Sequence, residues 1–215
     1  FVTYTQCGTT YTNVMETTTW TEWVDAGTTV TVSNPQDPID DGPGIRYRFD
    51  YYDPSASVSM TGSMTITLVY MIQYYLDVVT DPSTLPPIPG ADWYYNCTWV
   101  RLTTPTYVPD EAGVGGVRYK FSYWDVDGTS QGSGVNPIDV HMDEPHIATA
   151  HYTAQYYLTV QTNPLGLVVI PGEGWYDECT YVPLTAPALV PVAPGIRYRF
   201  DFWDVDTIMV PGNPI

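Results

Sequence analysis

The side chains able to do chemistry fall into three groups, and each group has a plainer reading beside the chemical one. Asp125 and Asp127, like Asp204 and Asp206, form Asp-Val-Asp pairs whose oxygens suit a hard cation such as Ca²⁺. Both pairs lack the glycine and the distal glutamate of a calcium loop, so solvated turn carboxylates are expected. His141, His146 and His151 lie close together, but none is followed by Cys or Glu at ligand spacing, and no metal site is expected. Asn96-Cys97-Thr98 is the one N-glycosylation sequon, placed at the start of an expected strand; Asn34, Asn136, Asn163 and Asn213 all precede proline. No Gly-x-Ser-x-Gly, phosphate loop or nucleotide fingerprint occurs. Carboxylate pairs are plentiful in so acidic a chain and do not by themselves argue for a glycosidase. The expectation is therefore no enzyme, no catalytic residue and no cofactor.

The thiols are Cys7, Cys97 and Cys179. Cys97 and Cys179 each follow a tryptophan by four residues, at equivalent places in a repeat. In a row of repeats such positions lie tens of ångströms apart, beyond the ~7 Å Cα separation that a disulfide tolerates. They are not expected to pair with each other. Cys7 is left to bridge either of them, within the chain or between chains, or all three are buried free thiols acting as small hydrophobes.

The cations point to the elements behind these residues. Six of the seven Lys and Arg residues lie in one stretch that occurs three times. It reads Gly44-Ile45-Arg46-Tyr47-Arg48-Phe49, then Gly116-Val117-Arg118-Tyr119-Lys120-Phe121, then Gly195-Ile196-Arg197-Tyr198-Arg199-Phe200. Strict alternation puts Ile196, Tyr198, Phe200 and Phe202 on one face and Arg197, Arg199 and Asp201 on the other, the pattern of a half-buried strand. Cations confined to one strand face suggest a structural ladder against carboxylates of neighbouring strands.

Composition sets the bounds. With 215 residues and a net charge of −17, the chain lacks the basic surface that nucleic acid or an anionic membrane requires. Thr, Tyr, Pro, Gly and Val replace charged residues, favouring strands and turns, and no window holds a helical period. No apolar run reaches the ~18 residues of a membrane span. The first residue is Phe1 rather than Met, as in a secreted chain after signal-peptide removal.

A register then emerges. Gln73-Tyr74-Tyr75-Leu76 returns as Gln155-Tyr156-Tyr157-Leu158, and the Trp-led stretch 93–98 returns as 175–180. Trp23-Val24-Asp25-Ala26-Gly27 opens a shorter first copy, and Val58-Ser59-Met60 answers Val140-His141-Met142. The chain thus divides into an N-terminal segment 1–8 and repeats over 9–72, 73–154 and 155–215. Repeats this small are expected to support one another in a row.

The order Tyr-Tyr-Leu-Thr-Val, Gly-Trp-Tyr-Asp, Leu-Thr-Ala-Pro, Gly-Ile-Arg-Tyr-Arg-Phe, Asn-Pro-Ile resembles the divergent internalin B-type repeat of bacterial and archaeal surface proteins. The resemblance covers the second and third repeats well, the first in part and residues 1–8 not at all. It implies small all-β modules, Ig-like sandwiches or a related fold, used for stalks, arrays and adhesion, with no catalytic residues. Trp124-Asp125-Val126-Asp127 and Trp203-Asp204-Val205-Asp206 depart from the Gly-Trp-Ser-Gly usual at that place.

The second repeat continues past Asn136-Pro137-Ile138 with two more strands, whereas Asn213-Pro214-Ile215 closes the sequence. The third repeat is therefore expected to lack its terminal strands. Phe1, Val2, Thr3, Tyr4, Thr5 and Gln6 read as a spare strand, with Val2 matching Ala150 and Tyr4 matching Tyr152. The sequence reading is an extracellular filament subunit that polymerises with copies of itself, head to tail, by donating this strand to the groove beside residues 213–215 of the next copy. The alternative is a fragment of a surface array or adhesin stalk whose exposed aromatics, Trp124 and Trp203 among them, bind cell-surface glycans.

Overall fold

The computed structural model describes residues 1–13, 19–109 and 113–215. They are all-β, with no helix among them. The first repeat and the segment before it contribute β1 (Val2–Gln6), β2 (Thr9–Asn13), β3 (Thr29–Val32), β4 (Ile39–Asp40), β5 (Ile45–Asp53) and β6 (Ser57–Ser59). β7 (Thr67–Asp81) crosses into the second repeat, which holds β8 (Asp92–Tyr95), β9 (Thr98–Leu102), β10 (Tyr107–Val108), β11 (Val117–Val126), β12 (Thr129–Ser133) and β13 (Ile138–Met142). β14 (His146–Leu158) crosses into the third, followed by β15 (Gly174–Asp177), β16 (Leu189–Ala193), β17 (Ile196–Arg199), β18 (Trp203–Val205) and β19 (Ile208–Val210).

The sheets do not divide where the repeats do. One sheet runs β10-β11-β14-β7-β5-β4, with β12, β15 and β8 added on β11, β14 and β7. β7 does two jobs: its first half pairs antiparallel with β5, from Thr67 opposite Asp53 to Tyr74 opposite Ile45. Its second half pairs in parallel with β14, from Leu76 opposite His146 to Asp81 opposite His151. β14 in turn pairs antiparallel with β11 and ends against β15. A strand 13 to 15 residues long thus completes one repeat and begins the next.

Three buried clusters form, one in each repeat, the first completed by residues of the segment before it. The largest gathers Leu76, Val78, Ile88, Val100, Leu102, Phe121, Trp124 and the inward side of β13 and β14. The first repeat packs Val30, Val32 and Val58 with Val2 and Tyr4, and the third packs Ile170, Leu184, Ala186 and Trp203.

Three expectations need correction. The strict alternation of the core strand breaks: the β11–β14 register shifts between Phe121 and Tyr123, as the β5–β7 register does between Phe49 and Tyr51. One bulge residue exchanges the two faces beyond it. Trp124 is consequently fully buried; Trp203, in the separate strand β18, is only 8% exposed as well, so neither tryptophan offers a ring to a glycan.

The segment 1–8 is likewise not spare. β1 pairs with β2 and with the edge of β3, and its Val2 and Tyr4 are 1% and 4% exposed in the first repeat's core. The Phe1 ammonium donates to the Ser33 carbonyl at 2.8 Å, and Tyr4 lies 5.1 Å from the Trp20 ring. At the turn into β2 the amides of Gly8 and Cys7 donate to Asp25, at 2.8 and 2.9 Å. They hold that carboxyl below the usual aspartate range. Alternation had marked residues 2–6 as a strand but carried no information on which sheet would take it.

Asn213, Pro214 and Ile215, expected at an assembly groove, are parts of the third repeat's own fold. Asn213 donates to the Ala186 carbonyl at 2.7 Å and accepts from the Ala186 amide at 2.9 Å, as Asn136 does with Thr104 at 2.6 and 3.2 Å. Ile215 exchanges two backbone hydrogen bonds with Leu184 and packs on the third cluster.

Truncation of Tyr4 distinguishes a resident strand from a spare one. Tyr4→Ala is expected to lower stability by about 3 kcal/mol, the scale of a large aromatic lost from a core, measured by urea unfolding. An unpacked tail would leave the midpoint unchanged.

Candidate functional site

Each crossing strand is fastened by the same constellation. Arg46 stands opposite Gln73, and Arg118 stands opposite Gln155. Arg46 Nε donates to Gln73 Oε1 at 2.8 Å, and Arg118 Nε donates to Gln155 Oε1 at 2.7 Å. β8 and β15 then fold back on the crossing strands and set Trp93 opposite Tyr75 and Trp175 opposite Tyr157. This brings a tryptophan ring under each guanidinium, Trp93 at 4.3 Å from Arg46 and Trp175 at 4.4 Å from Arg118. Tyr107 stacks on Arg118 as well, at 4.0 Å. Gln155 Nε2 passes the contact on by donating to Asp177 at 2.7 Å.

The arrangement follows from what a guanidinium needs. Arg118 is 7% exposed and Gln155 is 6% exposed, so a charge sits where it must be hydrogen-bonded or stacked. A planar, weakly hydrated guanidinium accepts an amide oxygen in its plane and aromatic faces above and below it, which an ammonium does poorly. The carboxylate ladder expected from the sequence is therefore mostly replaced by glutamine and aromatic rings. Two Arg–carboxylate pairs form among the described residues: Arg48 with Asp37 at 2.8 Å and Arg101 with Asp139 at 3.2 Å.

Glycine permits the closest approach at the second joint. Gly113 has φ +71°, and a Cβ there would lie 2.4 Å from the Trp175 ring and 2.8 Å from the Val117 carbonyl oxygen.

The other candidate residues are dispersed. His146 is gripped between Asp127 at 2.5 Å and Asp143 at 3.1 Å, and Asp127 also accepts from the Ile147 amide. Burial lowers the His146 pKa, but the hydrogen bonds and charges of Asp127 and Asp143 outweigh it and leave it raised. His151 pairs with Asp81 at 2.8 Å, and His141 lies 4.7 Å from the Trp99 ring. Among the described residues no three such groups converge as metal ligands. Asp125 accepts from the Gly128 amide at 2.7 Å within its turn, and Asp204 and Asp206 are exposed.

Cys7, Cys97 and Cys179 are free and exposed, with φ of 50°, 64° and 63°. The reading of them as buried thiols is thus corrected: each occupies a left-handed position in a tight turn. Gly27, four residues after Trp23 as Cys97 is after Trp93, has φ 79°, which marks the position as a turn. Asn96 shares that turn between β8 and β9 and is exposed, rather than lying in a strand.

An apolar cleft of about 290 Å³ lies between the 85–89 loop and Pro105, Val108 and Tyr152. The Tyr152 hydroxyl is already engaged with Thr104 and the Pro105 carbonyl.

No family model matches the chain, and no curated protein or solved structure matches it either. The internalin-type likeness accordingly rests on the repeated residues alone. Gln73, Gln155, Trp93 and Trp175 were visible as repeat markers, and the recurrence of Trp 20 residues after Gln was the signal for the joint.

Arg118→Ala is expected to cost about 2–4 kcal/mol, combining a lost desolvated cation–π contact with an orphaned amide. Arg118→Lys should recover less than half of it. Urea unfolding followed by tryptophan fluorescence measures both.

His146 supplies a pH test. Its pKa is raised in the fold, so its contribution is complete below the unfolded value of about 6.5 and is lost as pH rises through the folded pKa. The parent is expected to lose stability relative to His146→Gln as pH rises from about 6.5 through the raised folded pKa. Parallel curves for the two proteins would contradict the grip.

Proposed function

We propose that this chain is a structural subunit of an extracellular surface filament, an end-to-end row of β repeats with no catalytic role. The observation that carries the reading is the unfilled edge of the third repeat. In the second repeat β14 lies between β7 and β11. In the third, residues 159–163 form no strand and β17 pairs with β16 alone. Ile196 and Tyr198 on β17 are 59% and 44% exposed. An unpaired edge with apolar side chains is a template for another strand, and a contact that joins unlike surfaces extends a row without closing it.

In this reading the strand that covers the edge comes from a neighbouring repeat, of this chain or of another. Donation of Phe1–Gln6 would remove Val2 and Tyr4 from the first repeat's core, which favours a different donor. The scarcity of cations and the tandem repeats fit a secreted role at the cell surface. Glycan recognition loses support with Trp124 and Trp203 buried.

Material taken from cells should appear as filaments under the electron microscope. A charge at the open edge, Ile196→Lys, should abolish them while leaving the unfolding midpoint within about 0.5 kcal/mol of the parent, because the site is exposed. Filaments of undiminished length from that variant would contradict assembly at this edge.

A further inference from the structure

The outward face of β9 and β13 carries side chains that the fold does not require. Trp99 stands opposite His141 and Arg101 opposite Asp139, while Val100 and Val140 between them turn inward to the second repeat's core. The first repeat builds the same ladder from β3 and β6, with Val30 opposite Val58. Its outward residues are Thr29, Thr31, Ser57 and Ser59, and Thr31 and Ser57 hydrogen-bond each other at 2.9 Å. Small hydroxyls thus suffice on such a ladder. In their place the middle repeat sets a tryptophan that is 65% exposed, although a repeat adjoins it on either side.

The ring is fixed as well as open. His141 lies 4.7 Å from it, the two planes at 40°, and His141 Nδ1 is 3.6 Å from Asp143. Two residues further along β9, Arg101 Nη1 donates to both carboxylate oxygens of Asp139, at 3.3 and 3.2 Å. The two charges balance, and both side chains stay at least half exposed. A guanidinium has more donors, and a carboxylate more lone pairs, than this contact uses.

We propose that this face is a carbohydrate-binding platform, with Trp99 carrying one pyranose ring of a neutral glycan and Arg101 and Asp139 holding its hydroxyls. A pyranose has a face of C–H groups, whose slightly positive hydrogens suit the negative face of an indole. Its rim hydroxyls both donate and accept, and so answer a guanidinium and a carboxylate together. The two rungs lie about 7 Å apart along the strand, a span that one hexose and its hydroxyls cover. An apolar partner would cover the ring but bury the charged pair without new hydrogen bonds, at a cost. An anionic partner would meet Asp139 on a chain of net charge −17. Trp124 and Trp203, both buried, take no part. The face is separate from the third repeat's edge, so the proposal stands whether or not the chain forms filaments. One ring and a few exposed hydrogen bonds give weak binding, with a Kd of about 1 mM, which several copies together would strengthen.

Neutral pentasaccharides of glucose, mannose, galactose and N-acetylglucosamine are the probes, each titrated against the intact chain by saturation-transfer NMR. At least one is expected to bind, with its C–H protons receiving the saturation. Trp99→Thr, which copies Thr29 at the equivalent place in β3, should weaken that binding at least tenfold and leave the urea midpoint at the parent's value. Asp139→Ala should weaken it at least threefold. Trp23→Ala, at a tryptophan 87% exposed, should leave it unchanged. No binding by any of the four sugars, or undiminished binding to Trp99→Thr, would overturn the platform. An equal loss on Trp23→Ala would assign the binding to exposed indoles in general and overturn it too. Tighter binding of hyaluronan than of every neutral sugar would overturn the neutral ligand. Dimers of the parent that Trp99→Thr abolishes would give the face to a second copy and overturn the carbohydrate reading.

Discussion

A buried guanidinium that must be satisfied across a repeat boundary is the constraint around which this structure is arranged. Arg118 lies in a place too dry for a free charge, and its partners come from residues beyond the boundary: Gln155 on the crossing strand and Trp175 on the strand that folds back on it. Neither repeat can close this site alone. The same holds for Arg46 with Gln73 and Trp93. The charge thus couples neighbours in a way that apolar contacts, being non-directional, do not.

The crossing strands turn this coupling into architecture. Because β7 ends one sheet segment and begins the next, removing a neighbour removes part of a repeat's own sheet. This is the nearest-neighbour logic of repeat proteins, in which interfaces carry stability that single units lack. Ile196 and Tyr198 are accordingly exposed where their counterparts Val117 and Tyr119, paired with β14, are half-buried.

Much of this was legible in the sequence, for identifiable reasons. Period-two alternation after Gly44, Gly116 and Gly195 marked the core strands, and the recurrence of Gln-Tyr-Tyr-Leu marked the crossings. What alternation could not reveal was a bulge, which inserts one residue without a composition signal and turned Trp124 inward. Nor did the pattern of residues 2–6 say which sheet would receive them, since pairing partners are set by tertiary contacts. The arginines were recognised as structural, but their partners were assigned by charge. Burial instead favoured an amide oxygen and ring faces.

The account turns on whether the edge beside β17 is filled in the proposed assembly. A density map of filaments taken from cells, at a resolution that shows side chains, examines this directly. The account predicts an added strand running antiparallel to Ile196–Arg199. An assembled filament in which that edge remains open to solvent would contradict it.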